Sequence, residues 1–226
     1  MTVMTMTGAD RTRVGAAVSA AEAATAGEIV TILAERSDDY GDVALAWSAI
    51  VALLALIALA LAPDFTIGLH DRLSGNWAQE WSPGRLFGLA AMVAALKFAG
   101  TWLILLWRPL RLALTPRPIR ARRVHARALS AFRVGAERRT TGRTGILIYL
   151  SLAEHRAEII ADESIASKVD AEVWGEALAA MLVEIRRGAM ADGLIAAITR
   201  VGGVLAQHLP RAGDDVNELP DRLIEV

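Results

Sequence analysis

Two pairs of adjacent carboxylates are the residues of this sequence best suited to metal chemistry. Asp38 and Asp39 follow one short apolar stretch, and Asp162 and Glu163 follow another. Oxygen atoms are the ligands that Ca²⁺ and Mg²⁺ prefer, so each pair is a candidate site for one of these ions, although the sequence establishes no cofactor. We favour the structural alternatives, which are helix capping by Ser37, Asp38 or Asp39 and a salt-bridge network around Asp162 and Glu163.

Two arginines form a candidate anion-binding site. Arg139 and Arg143 precede a predicted strand, and a hairpin would bring them near Asp162. Guanidinium groups form paired hydrogen bonds with phosphate and carboxylate groups, so the arginines can hold an anion or join the salt-bridge network. Farther along, the acids of residues 214–218 loosely resemble a calcium loop. They lack its alternating ligands and central glycine, and we interpret this stretch as a C-terminal strap.

Several classes of catalytic chemistry are not supported by the sequence. The chain has 226 residues and no cysteine, which excludes disulfides, thiol catalysis and cysteine-ligated zinc. Its four histidines lack the spacing of a metal motif, and no GxSxG, Walker or GxGxxG pattern is present. The sequence therefore assigns no catalytic residue.

Two long apolar runs determine the predicted class of protein. Residues 43–62 contain no charged side chain, and residues 86–107 contain only Lys97. A helix rises about 1.5 Å per residue, so either run can cross a hydrocarbon core roughly 30 Å thick. We predict two transmembrane helices joined by a short loop. The alternative is a pair of buried core helices in a soluble protein, but such uncharged runs are usually shorter.

The distribution of arginine predicts the orientation in the membrane. Residues 108–139 carry ten arginines and one acid, whereas the loop of residues 63–85 carries two arginines and three acids. The positive-inside rule then places the segment after the second run, and with it both termini, in the cytoplasm, so the chain is a multi-pass inner-membrane protein. The basic segment favours anionic lipid, and we expect no nucleic-acid partner because aromatic residues are not interleaved with the arginines.

Lys97 is the exceptional residue of the second run. A cation at the centre of a span costs about 2.5–3.5 kcal/mol on insertion scales. Residues 43–62 offer no acid to pair with it. We expect its side chain to extend toward the headgroups. The alternative is contact with a partner, either another membrane protein or a second copy of the chain.

Outside the apolar runs, the hydrophobic pattern predicts a small mixed sheet covered by helices. Strands are predicted at 28–34, 145–152 and 157–161, and helices at 13–25, 119–135, 171–187 and 191–209. The last two strands form a hairpin, and the first two are expected to be parallel neighbours because helices separate them in the sequence. Parallel strands would place Asp38 and Asp162 at opposite edges of the sheet, so we expect no single site that contains both.

Several stretches resemble the TPM-domain family in its membrane-embedded bacterial form. They are GILIYLSLAEHRAEIIADESI at 145–165, the helix that carries Trp174, RRGAMADGLIAAITRVGGVLAQHLP at 186–210, DDVNELPD at 214–221 and the opening stretch AEAATAGEIVTILAERSDDY at 21–40. The resemblance implies a Rossmann-like α/β/α sandwich. Some members of the family are reported as acid phosphatases with a bound divalent metal, and others are linked to the maintenance of membrane complexes. Residues 161–164 replace the family's glycine-rich turn.

The sequence thus predicts an α/β fold: a Rossmann-like α/β/α sandwich on a small mixed sheet, interrupted by a two-helix transmembrane hairpin. Residues 1–42 supply the first helix and strand, 43–107 the hairpin, and 108–226 the basic helix and the rest of the TPM-like domain. The expected function is that of an integral inner-membrane protein, bound to the lipid bilayer, whose cytoplasmic domain acts through protein–protein contacts. The alternative is a divalent-metal-dependent phosphatase.

Overall fold

The computed structural model describes residues 6–74, 81–134, 144–211, 219 and 221–226. The helices are α1 (Gly8–Glu22), α2 (Gly41–Leu61), α3 (Pro63–Ser74), α4 (Pro83–Leu105), α5 (Arg108–Ala113), α6 (Arg117–Phe132), α7 (Glu163–Ala166), α8 (Ala171–Arg186) and α9 (Met190–His208). The strands are β1 (Glu28–Ala34), β2 (Gly145–Ser151), β3 (Arg156–Ala161) and β4 (Leu223–Glu225). The protein is therefore a mixed α/β fold.

The chain divides into two compact units. Met1–Asp38 and Pro118–Val226 together form the first, which contains the sheet, and we call it the α/β unit. Asp39–Arg117 forms the second, which we call the helical unit. The helical unit is thus inserted in the chain between β1 and β2.

The four strands form one small mixed sheet in the order β3-β2-β1-β4. β1 lies parallel to β2, with Glu28 opposite Gly145, and parallel to β4 on its other side. β2 and β3 pair antiparallel as a hairpin. The predicted strands and the parallel pairing of the first two are confirmed. β4 was not predicted, because three residues carry too little pattern to indicate a strand.

The two central strands are buried because helices pack on both faces of the sheet. Every residue of β1 and β2 is buried, which fits their nearly continuous apolar sequences. On one face, Ile29 and Leu33 pack with residues of α1, α8 and α9. On the other face, Val30 and Ile32 pack with α6, whose Phe132 belongs to the same cluster.

The first helix begins earlier than the sequence pattern predicted. Thr7 and Asp10 form a capping box, in which Asp10 N donates to Thr7 Oγ1 at 3.1 Å and Thr7 N donates to Asp10 Oδ2 at 3.1 Å. These bonds satisfy donors that the first turn of a helix leaves free. α1 therefore begins at Gly8 rather than Arg13.

The predicted capping of the next helix is wrong. α2 begins at Gly41, and its N-cap residue is Tyr40, which adopts a left-handed backbone conformation with φ of 53° and makes no side-chain capping bond. The Asp38 carboxylate is instead paired with a guanidinium group, since Arg123 Nη1 lies 2.6 Å from Asp38 Oδ2. Asp38 therefore links the loop after β1 to α6.

Candidate functional site

A cavity of about 180 Å³ lies where the end of α1, the start of β1 and the segment before β4 meet. Its walls include Glu22, Glu28, Asp221, Ser19, Thr25 and Arg211. We call this feature the acidic cavity, because three of these six side chains are carboxylates. Glu22 and Glu28 are almost completely buried.

Strand pairing and one close helix contact bring these residues together. Asp221 comes two residues before β4, which pairs in parallel with β1. A Cβ atom on Gly15 would lie 2.7 Å from the Asp221 carbonyl oxygen, so α1 can approach this segment only because residue 15 is glycine. Ser19 Oγ then donates a hydrogen bond to Asp221 Oδ2 at 2.5 Å.

Both buried glutamates also hold backbone groups. Ile29 N donates to Glu22 Oε1 at 2.6 Å, which ties the end of α1 to β1. Leu219 N donates to Glu28 Oε2 at 3.2 Å, which ties the C-terminal segment to the start of the same strand. Buried polar groups need such partners, so a structural role accounts for at least part of the cluster.

The environment changes the acidity of Glu22. Burial raises the pKa of this carboxyl group to about 8, and the hydrogen bond from Ile29 N opposes that increase. The negative charges of Glu28 and Asp221 add to it, because they disfavour a third negative charge nearby. A carboxyl group with a pKa near neutrality, placed in a cavity, is able to accept and donate a proton at the pH of the cell, which is a common property of functional sites.

The acidic cavity was not predicted from the sequence. Glu22 was assigned to a helix and Glu28 to a strand, no role was predicted for Asp221, and nearly 200 residues separate Glu28 from Asp221 in the chain. Their proximity depends on β4. The sequence signal that was available is the pair of acidic residues, Glu22 and Glu28, on either side of the turn that leads into β1, a fully buried strand.

A second polar network lies beyond the carboxyl ends of β1 and β2. Glu154 is buried and accepts hydrogen bonds from Ser37 N, at 3.1 and 3.2 Å to its two oxygens, and from Ser151 Oγ. Ser37 Oγ also donates to Ser151 Oγ at 3.0 Å and lies 3.2 Å from Tyr149 Oη. Burial raises the pKa of Tyr149, and its hydrogen bond with Ser37 opposes the increase. The network fixes the loop after β1 to the β2–β3 turn.

The four predicted metal ligands do not converge. Asp38 is paired with Arg123, and Asp39 is exposed. Asp162 is buried and accepts a hydrogen bond from Gly145 N at 3.2 Å, at the amino end of β2, whereas Glu163 is exposed. Asp38 and Asp162 therefore lie at opposite edges of the sheet. In the part of the chain that the structure describes, no group of three or more His, Asp or Glu side chains is arranged to hold a metal ion.

The other predicted site residues lie outside the described residues. Arg139 and Arg143, the candidate anion ligands, fall in the segment 135–143, and the acids of the predicted strap fall in 212–218. The anion-binding role therefore stays a prediction.

The helical unit contains the two apolar helices, which pack against each other. By length and composition, α2 with 21 residues and α4 with 23 residues are both able to cross a membrane. Only 17% of the most apolar part of α2, and 6% of that of α4, is buried. Large apolar side chains exposed on their surfaces include Leu53, Leu54 and Ile57 on α2 and Leu96, Trp102 and Leu103 on α4. Lys97 is exposed among them.

The fold thus defines a mixed α/β protein. A pair of apolar helices is inserted in its chain between β1 and β2, which are neighbours in the sheet. No family model and no curated protein matches the sequence. The NMR structure of the BA42 protein from the psychrophilic bacterium Bizionia argentinensis is similar, with a TM-score of 0.57 and 17% identity over 100% of this chain and 99% of that chain. At this level of identity the likeness concerns the fold alone.

Proposed function

We propose that this chain is an integral protein of the bacterial inner membrane, in which α2 and α4 form a transmembrane hairpin. The observation that carries the proposal is the exposure of apolar side chains along both helices. Core helices of soluble proteins bury such side chains, and large exposed apolar surfaces require a partner or a lipid environment. A bilayer covers both helices at once.

The charges that follow α4 support a cytoplasmic α/β unit. Residues 108–133 contain eight arginines and no acid. Trp102 and Trp107 lie at the end of the apolar run, where tryptophan is common at the membrane–water interface. With two spans, the segments before α2 and after α4 lie on the same side, which is required because β1 and β2 pair in one sheet.

The α/β unit, which we propose to be TPM-like with a Rossmann-like sandwich, acts through protein contacts at the membrane. Two observations favour this role. The inserted helical unit is joined to the α/β unit at both of its ends, so two chain connections tie the α/β unit to the proposed hairpin. Four buried carboxylates accept hydrogen bonds from backbone or hydroxyl groups of the same unit. They belong to Glu22, Glu28, Glu154 and Asp162.

The experiment that tests membrane integration is alkaline carbonate extraction. Carbonate releases peripheral proteins from membranes and leaves integral proteins in the pellet. We expect the full chain to remain in the pellet and to be released only by detergent. Recovery in the carbonate supernatant would contradict the proposal. Cross-linking in the same membranes tests the contacts, and adducts larger than the monomer are expected.

The alternative, a divalent-metal-dependent phosphatase, fits the described residues less well. Asp38 and Asp162, the candidate ligands, lie at opposite edges of the sheet and are already engaged with Arg123 and Gly145. The direct test is phosphate release from a generic phosphomonoester by the full chain in nanodiscs, with and without Mg²⁺ or Ca²⁺. Activity that requires metal and is lost in Asp38→Asn or Asp162→Asn would establish the alternative.

A further inference from the structure

Lys97 combines three properties that together identify a partner. It is a cation, it lies within an otherwise uncharged run, and its side chain is exposed on α4. In the described part of the chain it has no ion-pair partner, and residues 43–62 of the first run contain no acid. If α4 crosses the membrane, as the proposed function requires, the ammonium group faces hydrocarbon or another protein.

The position of Lys97 in the run argues against the extension toward the headgroups that we expected from the sequence and favours the alternative of contact with a partner. Leu105, at the end of α4, lies eight positions after Lys97. At 1.5 Å per residue the two are about 12 Å apart along the helix axis. The apolar run continues to Trp107 and so extends this distance. Since the half-thickness of the hydrocarbon core is about 15 Å, Lys97 lies close to its centre. The four-carbon stem of a lysine is too short to cover this distance.

The residues that flank Lys97 on its face of α4 are small. Gly100 and Ala94 lie three residues to either side, on the same face of α4. Both residues are half-buried, and a Cβ atom on Gly100 would meet nothing within 4 Å. Small residues at such positions allow the backbones of two transmembrane helices to approach closely.

We propose that Lys97 binds a transmembrane helix of a different protein that carries an Asp or Glu near its centre. Charge complementarity determines the kind of partner, because a buried cation is best stabilised by a carboxylate. A second copy of this chain does not supply one, since neither apolar run contains an acid. The proposal rests on the proposed function and names the chemistry of the contact that the membrane hairpin makes.

The test is zero-length cross-linking in native membranes with a membrane-permeant carbodiimide. The reagent activates a carboxylate, the lysine amine displaces the activated oxygen, an amide forms and the urea leaves. Lys97 and Lys168 are the only lysines in the sequence, so products are readily assigned by mass spectrometry, and Lys168 is an internal control outside the apolar helices. We expect an amide between Lys97 and an Asp or Glu inside an apolar segment of another protein.

Two variants complete the test. Lys97→Leu should reduce that adduct at least tenfold and remain in the carbonate pellet, whereas Lys168→Gln should leave the adduct unchanged. The proposal is overturned if Lys97 is joined to a second copy of this chain, if it forms no amide while Lys168 reacts, or if a membrane-impermeant amine reagent labels both lysines equally. Recovery of the full chain in the carbonate supernatant would instead contradict the proposed function, so the two failures are distinguishable.

Discussion

Among the described residues, Glu22 has the carboxyl group whose pKa the fold changes most. Burial and the charges of Glu28 and Asp221 raise its pKa to about 8, far above the ordinary value of a glutamate. The folded protein therefore keeps this carboxyl protonated at pH values at which the unfolded chain has released the proton. Stability should fall as the pH rises from about 4.5 to about 8, by at most about 1.4 kcal/mol per pH unit from this group alone.

Replacing Glu22 by glutamine should remove that dependence. Glutamine retains an oxygen for Ile29 N and has no proton to release. Thermal unfolding of the full chain in detergent, followed by circular dichroism from pH 5 to pH 8, should show a flatter stability profile for Glu22→Gln than for the unchanged protein. Glu172→Gln, at an exposed position of α8, should leave the profile unchanged. If the stability of the unchanged protein, Glu22→Gln and Glu172→Gln varies with pH in the same way, Glu22 is ionised in the folded protein throughout this pH range.

Structural roles were favoured from the sequence for the residues of the predicted metal sites. In the structure Asp38 pairs with Arg123 and Asp162 accepts a hydrogen bond from Gly145 N, whereas the salt-bridge network expected around Asp162 and Glu163 stays a prediction, because Arg139 and Arg143 lie outside the described residues. The particular role of Asp38 was wrong, because its partner Arg123 lies 85 residues away and no local pattern indicates the pairing. Helix capping can be predicted from neighbouring residues, whereas a long-range ion pair requires the tertiary fold.

Among the elements, the packing of α1 against α9 depends on a single glycine. A Cβ atom on Gly202 would lie 2.6 Å from the Cβ of Ala21, and neither backbone is able to move aside freely. Gly202→Ala should therefore destabilise the protein by about 1–3 kcal/mol, although alanine is the better helix former.

Gly203 supplies the matched control. It lies next to Gly202 in the same helix, it is exposed, and an added Cβ atom would meet nothing within 4 Å. Gly203→Ala should stabilise the protein by up to about 1 kcal/mol through helix propensity alone. Midpoints of thermal unfolding should shift in opposite directions for the two variants. Equal shifts would show that α1 and α9 are not in close contact at this position.

Most long elements were predictable from the sequence, and short or locally capped ones were not. The 12-residue helix α3 is an exception, because residues 63–85 were predicted to be a loop. β1 and β2 are runs of β-branched and apolar residues that few other structures accommodate, so their pattern was sufficient. The start of α1 was missed although Thr7 and Asp10 form a recognisable capping box. β4 has only three residues, and its pairing with β1 depends on tertiary structure.

At the scale of the whole molecule, the α/β unit should fold without the inserted helices. Both of its hydrophobic clusters are built from residues of that unit alone. The ion pair between Asp38 and Arg123 places Asp38, one chain end left by removing residues 39–117, beside α6, the helix that contains the other chain end, Pro118. A short Gly/Ser linker in place of residues 39–117 should therefore give a soluble, folded protein.

Circular dichroism and two-dimensional NMR of that variant are the measurements that check this expectation. Dispersed amide signals and a cooperative unfolding transition should be observed in the absence of detergent. Aggregation of the linker variant, or a spectrum of an unfolded chain, would show that the α/β unit needs the helical unit to fold.

The sequence alone predicted that a pair of apolar helices interrupts one α/β unit, because apolar runs of this length with at most one charge are rare in soluble proteins. The α/β unit itself was harder to define. Its two halves lie on either side of the insertion, and the parallel pairing of β1 with β2 and with β4 shows that they form one sheet.

The measurement that most directly tests the proposed topology is the accessibility of single cysteines. The chain contains no cysteine, so each variant carries one thiol. Asp64→Cys between the two apolar helices, Ala126→Cys on α6 and Ala58→Cys on α2 replace exposed residues. A membrane-impermeant maleimide should label Asp64→Cys in spheroplasts, Ala126→Cys only after the membrane is opened, and Ala58→Cys only in denaturing detergent. Labelling of Asp64→Cys and Ala126→Cys together in sealed spheroplasts, or ready labelling of Ala58→Cys, would contradict a transmembrane hairpin with a cytoplasmic α/β unit.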